Sequence, residues 1–156
     1  CVMATVIRGD DNFDSADAGK VLQVVQATSN TATEPNASWN NINGASVTIT
    51  PSSTSSKVLV TFNTGGMSTG APDNISVKML RDSTSIRVSS RYGYATSGWV
   101  PIPFTFIYLD SPSTTASVTY TIQMKSDIDA DLRVNHDQSN NGGVNGLVMI
   151  ATEIGG

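Results

Sequence analysis

The chain has almost no cysteine, little charge and no long hydrophobic run. One of its 156 residues is cysteine, Cys1, which excludes an internal disulfide framework and a cysteine-based zinc site. Nine basic and thirteen acidic residues give a net charge of −4, whereas binding to a phosphate backbone needs a basic surface. No apolar run approaches the roughly 18 residues of a membrane-spanning helix. We therefore expect neither nucleic acid nor a membrane as a partner.

Residue patterns of the common catalytic sites are also missing. The sequence has no G-x-S-x-G motif and no glycine-rich phosphate loop leading into a helix. Its two glutamates are Glu34 and Glu153, so a glycosidase would need aspartates as its paired carboxylates. A catalytic role for His136, the single histidine, would require a nucleophile and an orienting acid beside it. We therefore expect a protein that is not an enzyme.

Strand-forming and turn-forming residues dominate the sequence instead. From Lys20 onward, segments rich in valine, isoleucine and threonine alternate with turn clusters, and none shows helical spacing of apolar residues. Residues 1–19 show no period, and we interpret them as an extended arm or linker before a single domain over residues 20–156. The pattern predicts strands at 20–28, 45–50, 57–64, 74–80, 86–94, 100–109, 116–125, 130–135 and 144–154.

Eight or nine short strands joined by turns predict an all-β fold, an antiparallel β-sandwich with jelly-roll winding. The last segment, LVMIATEI, is apolar on both of its faces. Every second residue from Leu147 would face the core, which leaves Val148, Ile150 and Ile154 on the other side. A strand that is apolar on both faces of a small sandwich indicates a second subunit on its outward side. We expect these three residues to lie in a subunit interface.

Four aromatic residues lie in or beside segments rich in glycine and asparagine: Trp39, Tyr92, Tyr94 and Trp99. Aromatic rings stack on the C–H face of a sugar while neighbouring amides and charges bind its hydroxyl groups. The alternative is that the rings close the ends of the sandwich or pack against a neighbouring subunit. These residues are the candidates for binding a glycan or a receptor, and both interpretations stay open.

Two patterns suggest a metal site, each with a simpler alternative. In SDIDADL, a strand would present Asp127, Asp129 and Asp131 on one face, as oxygen ligands of calcium. The glycine and terminal glutamate of an EF-hand are missing, and the three aspartates equally suit an edge strand that resists edge-to-edge pairing. Three copies of His136 around a three-fold axis would also offer metal ligands, whereas the alternative is a turn histidine. We expect no cofactor.

Five segments of the sequence are recognisable, and they occur in a recognisable order. They are GKVLQVVQAT, VTITPSSTSSKVLV, VKMLRDSTSI, FTFIYLDSPSTTASVTYTIQMKS and LRVNHDQSNNGGVNGLVMIATEIGG. Together they resemble, over about residues 19–156, the C-terminal domain of tail-fibre-like and other virion structural proteins of bacteriophages, especially marine ones. The resemblance implies a trimeric, mostly β distal domain of a fibre, presented for attachment to a bacterial surface. It transfers no catalytic residue and no binding motif.

From the residues and the resemblance together, we expect a non-enzymatic virion fibre domain that acts outside cells as a homotrimer. Its partners would be a host surface polysaccharide or outer-membrane receptor and the remaining virion proteins. The alternative is a purely structural virion domain, such as a head fibre, a capsid decoration or a trimerisation cap. In TPSSTSS and DSPSTT, we expect proline to set the turn and hydroxyls to satisfy its backbone groups without charge.

Overall fold

A computed structural model of the chain describes residues 18–68, 74–94, 102–127, 132–135 and 146–156. These residues form strands, turns and no helix, so no described segment is a helix able to cross a membrane. The strands are β1 (Val21–Ser29), β2 (Asn40–Ile49), β3 (Lys57–Ser68), β4 (Asn74–Arg81), β5 (Thr84–Tyr94), β6 (Ile102–Asp110), β7 (Val118–Ser126), β8 (Arg133–Val134) and β9 (Leu147–Ile154).

The strands form two antiparallel sheets that face each other across one core. One has the order β1-β9-β3-β6, with the short β8 also paired to β3, and the other has the order β2-β7-β4-β5. We name them the β9 sheet and the β7 sheet. With β8 left aside, β4 and β5 are the one pair of strands that are consecutive in the chain and lie in the same sheet. Every other connection between consecutive strands leads from one sheet to the other. This winding is that of a jelly roll and confirms the predicted fold class.

Alternation along the central strands builds the core. In β7, every second residue from Val118 to Ser126 is buried, and in β9 the same holds from Leu147 to Glu153. Successive side chains of a strand point to opposite faces, so the other residues of both strands face outward. Phe62 and Phe104 pack in this core with ring centroids 6.3 Å apart. The alternation predicted for β9 is therefore confirmed, and β7 has the same period.

The second predicted strand was too short. The segment NNING has the composition of a turn, yet β2 begins at Asn40 and runs through it. The ladder to β7 shifts its register between Asn41 and Ser46, so the extra residues form a bulge. Within it, Gly44 has a φ of 77°, and a side chain there would collide with Ser29. Ile42, by contrast, is buried in the core, which explains why the segment stays in the sheet.

The chain enters and leaves the described sandwich at the same end, which we call the entry end. Val21 pairs with Ile154 there, and the amide of Gly19 donates to the carbonyl of Gly155 at 2.7 Å. The loop 50–56 joins β2 to β3 at this end. The opposite end, where β2 begins and where β5 and β7 end, is called the far end.

Candidate functional site

The far end of the β7 sheet brings together several residues that the sequence singles out. Trp39 directly precedes β2. Tyr94 pairs through its backbone with Asn74, and Tyr92 lies two residues earlier in β5. Asp127 directly follows β7, and its amide donates to the carbonyl of Asn74 at 3.0 Å. Residues from three separate segments of the chain therefore meet at one end of one sheet.

Trp39 lies half-buried beside two lysines of the neighbouring strands. The Nζ atoms of Lys78 and Lys125 are 4.4 and 5.8 Å from the centroid of its ring. The negative face of an indole ring attracts a cation at such distances. Asp127 in turn lies 3.2 Å from Lys125 Nζ and accepts a hydrogen bond from the buried Ser76 hydroxyl. Part of the Trp39 ring thus contacts these lysine side chains, and part of the residue stays exposed.

Hydrogen bonds fix the β1–β2 connection, residues 30–39, which leads to Trp39. Thr33 and Val134 exchange both of their backbone hydrogen bonds, at 3.0 and 2.9 Å. The buried Asn135 side-chain amide donates to the carbonyl of Ser29 at 3.1 Å, just before this connection. The β8 segment therefore anchors the β1–β2 connection through these hydrogen bonds.

Four of the predicted site residues lie outside the described residues: Trp99, Asp129, Asp131 and His136. For Tyr92 and Tyr94, the backbone position in β5 is described and the side chains are not. In the described part of the chain, no three histidine, cysteine, aspartate or glutamate side chains lie close enough to hold a metal ion. The calcium site and the three-fold metal site stay predictions.

The outward side of the β9 sheet, which we call the outer β9 face, mixes aliphatic side chains with mostly uncharged polar ones such as Gln26, Thr61 and Thr152. Its apolar residues are Val21, Val24, Leu59, Ile107, Leu109, Val148, Ile150 and Ile154. On the two edge strands, Val21, Val24, Ile107 and Leu109 are 61, 59, 50 and 47% exposed. The residues predicted for a subunit interface lie half-buried along β9 in the middle. The structure therefore places them among further outward aliphatic residues that the sequence prediction covered only in part.

The outward side of the β7 sheet, the outer β7 face, is mainly polar. The hydroxyls of Thr48 and Thr119 lie 2.8 Å apart across β2 and β7, and those of Ser46 and Thr121 lie 3.2 Å apart. Among the described side chains of this face, Val88 on the edge strand β5 is the one exposed large aliphatic residue. Cross-strand hydroxyl pairs satisfy one another without charge, so this face is suited to water.

A buried glutamate lies at the entry end, where sequence reasoning missed it. Glu153 is fully buried at an inward position of β9. One carboxylate oxygen accepts hydrogen bonds from the Ser52 amide and hydroxyl at 2.7 and 2.6 Å, and the other accepts from Gln23 Nε2 at 2.6 Å. Burial raises the pKa of Glu153, but the hydrogen bonds from Ser52 and Gln23 outweigh it and lower the pKa from 4.5 to about 2. The serine-rich loop therefore holds a buried charge.

A second buried carboxylate joins the two sheets at the same end. Asp110 accepts a hydrogen bond from the Tyr120 hydroxyl at 2.7 Å and pairs with Arg81 Nη1 at 2.9 Å. Burial and the hydrogen bond to Asp110 raise the pKa of Tyr120 above its ordinary value. The RDST and LDSP phrases, distant in sequence, thus meet through the Arg81–Asp110 pair. The sequence did contain a signal for the burial of Glu153, because this residue lies on the same side of its strand as Leu147 and Met149.

No protein-family profile and no curated protein sequence matches this chain. Among solved structures, the fold of this chain is similar to a chain in the structure of the infectious bursal disease virus Gx strain, with a TM-score of 0.48 and 13% identity over 98% of this chain. A subviral particle of infectious bursal disease virus follows, with a TM-score of 0.43 and 11% identity, also over 98% of this chain. The chain spans 37% of the length of both proteins. The jelly-roll class rests on the strand order given above.

Proposed function

We propose that this chain is a non-enzymatic domain of a bacteriophage virion fibre that attaches the particle to the surface of a host bacterium. The observation that carries the proposal is the position of Trp39, Tyr92 and Tyr94 at the far end, opposite the entry end. An arm that joins the virion at the entry end would present the far end outward. The resemblance of residues 19–156 to phage fibre domains supports the same assignment.

The proposed ligand is a surface polysaccharide or an outer-membrane receptor of the host. An aromatic ring packs on the C–H face of a sugar, and nearby amide and hydroxyl groups bind its polar edge. Residues 30–39 are held in place before a ligand arrives, so binding costs little ordering of the loop. In the homotrimer that we also propose, three weak sites would act together and increase the avidity. Such a domain acts outside cells and needs no cofactor.

The test measures binding of the fluorescently labelled chain to a panel of bacterial strains. Trp39→Ala is expected to lower the staining of a bound strain about tenfold, because a stacked ring contributes about 1.5 kcal/mol. Trp39→Phe, which keeps an aromatic ring, should retain most of the staining. Thr54→Ala, an exposed change at the entry end, should retain all of it. The proposal is wrong if no strain is stained, or if Trp39→Ala stains as strongly as the wild type.

A purely structural virion domain is the second candidate function. The contacts of Trp39 with Lys78 and Lys125 favour it, because they already engage part of the ring within the sheet. In that case the wild-type chain would stain no strain, and Trp39→Ala would lower the melting temperature through lost packing. Staining by the wild type therefore separates the two candidates before any variant is made.

A further inference from the structure

Trp39 at the far end lies beside a lysine that has no acidic partner in the described part of the chain. Lys78 Nζ is 4.4 Å from the centroid of the indole ring, and none of the ion pairs within the described ranges involves Lys78. Lys125, the other lysine at this ring, is paired with Asp127 at 3.2 Å. Two lysines and one aspartate sum to one positive charge here, on a chain whose net charge is −4. A local positive charge of this kind attracts an anion from solution.

A row of polar side chains continues from Lys78 across the outer β7 face. Gln123 pairs with Lys78 on one neighbouring strand and with Asn41 on the other, so the three residues lie side by side. Gln123 Nε2 donates a hydrogen bond to Asn41 Oδ1 at 2.8 Å. This bond leaves Asn41 Nδ2 as a donor and the Gln123 side-chain carbonyl as an acceptor. An amide donor and an amide acceptor together can bind neighbouring hydroxyl groups of a sugar.

The aromatic ring, the amides and the ammonium group lie on the same surface. Trp39 is opposite Lys125, one residue beyond the pair of Asn40 and Met124. The row from Asn41 to Lys78 covers two strand spacings, which is about 10 Å. A neutral sugar would use the ring and the amides. A sugar that carries a negative charge would use the ammonium group as well, so it gains most from this arrangement.

We propose that the ligand of this site is an anionic saccharide, and that Lys78 binds its carboxylate or phosphate group. This inference rests on the proposed host attachment, because it gives the chemical class of the ligand bound there. Trp39 packs on the sugar ring, and Asn41 and Gln123 bind its hydroxyls. Lysine binds both kinds of anion as a compact point charge, so the common requirement is a negative charge on the sugar.

The first experiment measures binding of labelled variants to a bacterial strain that the wild type stains. Lys78→Gln is expected to weaken binding about tenfold, because it removes a charge-assisted hydrogen bond. Lys78→Arg keeps the positive charge and should retain most of the binding. Lys57→Gln removes the same charge from an exposed residue at the entry end and should bind like the wild type. Circular dichroism checks that each variant folds.

Salt separates a charge contact from a packing role of Lys78. Ions screen the attraction between exposed charges, so added sodium chloride should weaken binding by the wild type. It should weaken binding by Lys78→Gln much less, because the charge contact is already lost. If Lys78 only supports the ring of Trp39, both proteins show the same dependence on salt, and the inference is wrong.

Asp127→Asn tests the same charge in the opposite direction. The variant removes the acid that pairs with Lys125, while its side-chain carbonyl can still accept the hydrogen bond from Ser76. We expect binding to become about threefold stronger, because Lys125 then adds its charge to that of Lys78. Weaker binding by Asp127→Asn would contradict an anionic ligand.

The second experiment identifies the anion with surface polysaccharide extracted from the stained strain. Its binding to the chain is measured before treatment, after chemical reduction of its carboxyl groups, and in a separate sample after removal of its phosphate groups. Loss of binding after the first treatment identifies a carboxylate, and loss after the second identifies a phosphate. Binding that survives both treatments would overturn the inference, as would absence of binding to the untreated polysaccharide.

These results keep the inference distinct from host attachment itself. If Trp39→Ala loses staining while Lys78→Gln stains like the wild type, attachment through the far end stands and the anionic ligand is wrong. If the wild type stains no strain, the proposed attachment fails, and the inference about its ligand fails with it.

Discussion

The two sheets share one core, but they differ in what they bury and in what they expose. The β7 sheet buries apolar residues and turns hydroxyl pairs such as Thr48 and Thr119 outward. The β9 sheet buries the carboxylates of Glu153 and Asp110 and turns valine, isoleucine and leucine outward. The β9 sheet thus has some charged side chains inside and some aliphatic side chains outside, whereas the β7 sheet has the more usual arrangement.

This difference shows which half of the sandwich is complete in a single chain. On the β7 sheet, the outward hydroxyls bond to one another or to water, and the inward side chains fill the core. On the β9 sheet, the buried acids are satisfied by the entry-end loop and by the opposite sheet, while outward aliphatic groups on the edge strands, such as Val24 and Leu109, stay exposed. Polar groups must be paired within the fold, whereas apolar groups can be covered by a partner.

The largest effect is expected from the buried acid of the β9 sheet. Glu153→Ala removes the acceptor of the Ser52 amide and hydroxyl and one of the two acceptors of the Gln23 amide, and it leaves a cavity at a fully buried position. We expect a loss of about 3 kcal/mol in the free energy of unfolding at pH 7. Urea denaturation at a fixed protein concentration measures it. A loss below about 1 kcal/mol would contradict this role of the serine-rich loop.

Glu153→Gln provides the control and a dependence on pH. Since the folded state lowers the pKa of Glu153 from 4.5 to about 2, the unfolded chain takes up the proton first as the pH falls. The stabilisation by the carboxylate is therefore complete above about pH 4.5 and is lost as the pH falls to about 2. The stability difference between the wild type and Glu153→Gln should shrink across this range. A constant difference would place the cause elsewhere.

A smaller effect is expected at the contact between the two sheets. Tyr120→Phe removes one hydrogen bond to Asp110 but leaves the carboxylate paired with Arg81. We expect a loss of about 1 kcal/mol in the free energy of unfolding. Absorbance titration supplies a second measurement: because the folded state raises the pKa of Tyr120 well above its ordinary value of 10, the wild type and the variant should show the same number of tyrosines ionising near pH 10. One fewer tyrosine ionising near pH 10 in the variant would contradict the buried pair.

The smallest effects are expected from a reciprocal exchange between the two outer faces. Valine and threonine have the same shape, so Val24→Thr and Thr48→Val change polarity alone. If a second copy covers the outer β9 face, Val24→Thr weakens assembly about fivefold, because it places a hydroxyl in an apolar contact. Thr48→Val should change the free energy of unfolding by less than about 0.5 kcal/mol and leave the mass unchanged. If Val24→Thr and Thr48→Val change assembly to the same extent, the two outer faces do not differ in their role in assembly.

Much of the fold follows from local patterns, whereas the sites follow only in part. The strands around Tyr120 and Met149 were predicted in place, and for the second the inward side was predicted as well, because alternation is strict over a whole strand. The start of β2 was missed, since turn-like composition around Gly44 hides a bulge that the core residue Ile42 keeps in the sheet. Trp39 was singled out from its surroundings, but its contacts with two lysines come from other strands.

By itself, the sequence determined the strand positions, the all-β class and which side of β7 and β9 faces the core, because alternation with a period of two is a local property. Only the tertiary structure decided that the outward side of β9 lies between the exposed aliphatic side chains of Val24 and Leu109 on the two edge strands. It also decided that Glu153 meets Ser52, and that Asp110 meets Tyr120. These contacts depend on which distant strands become neighbours, and the winding of the whole chain sets that order.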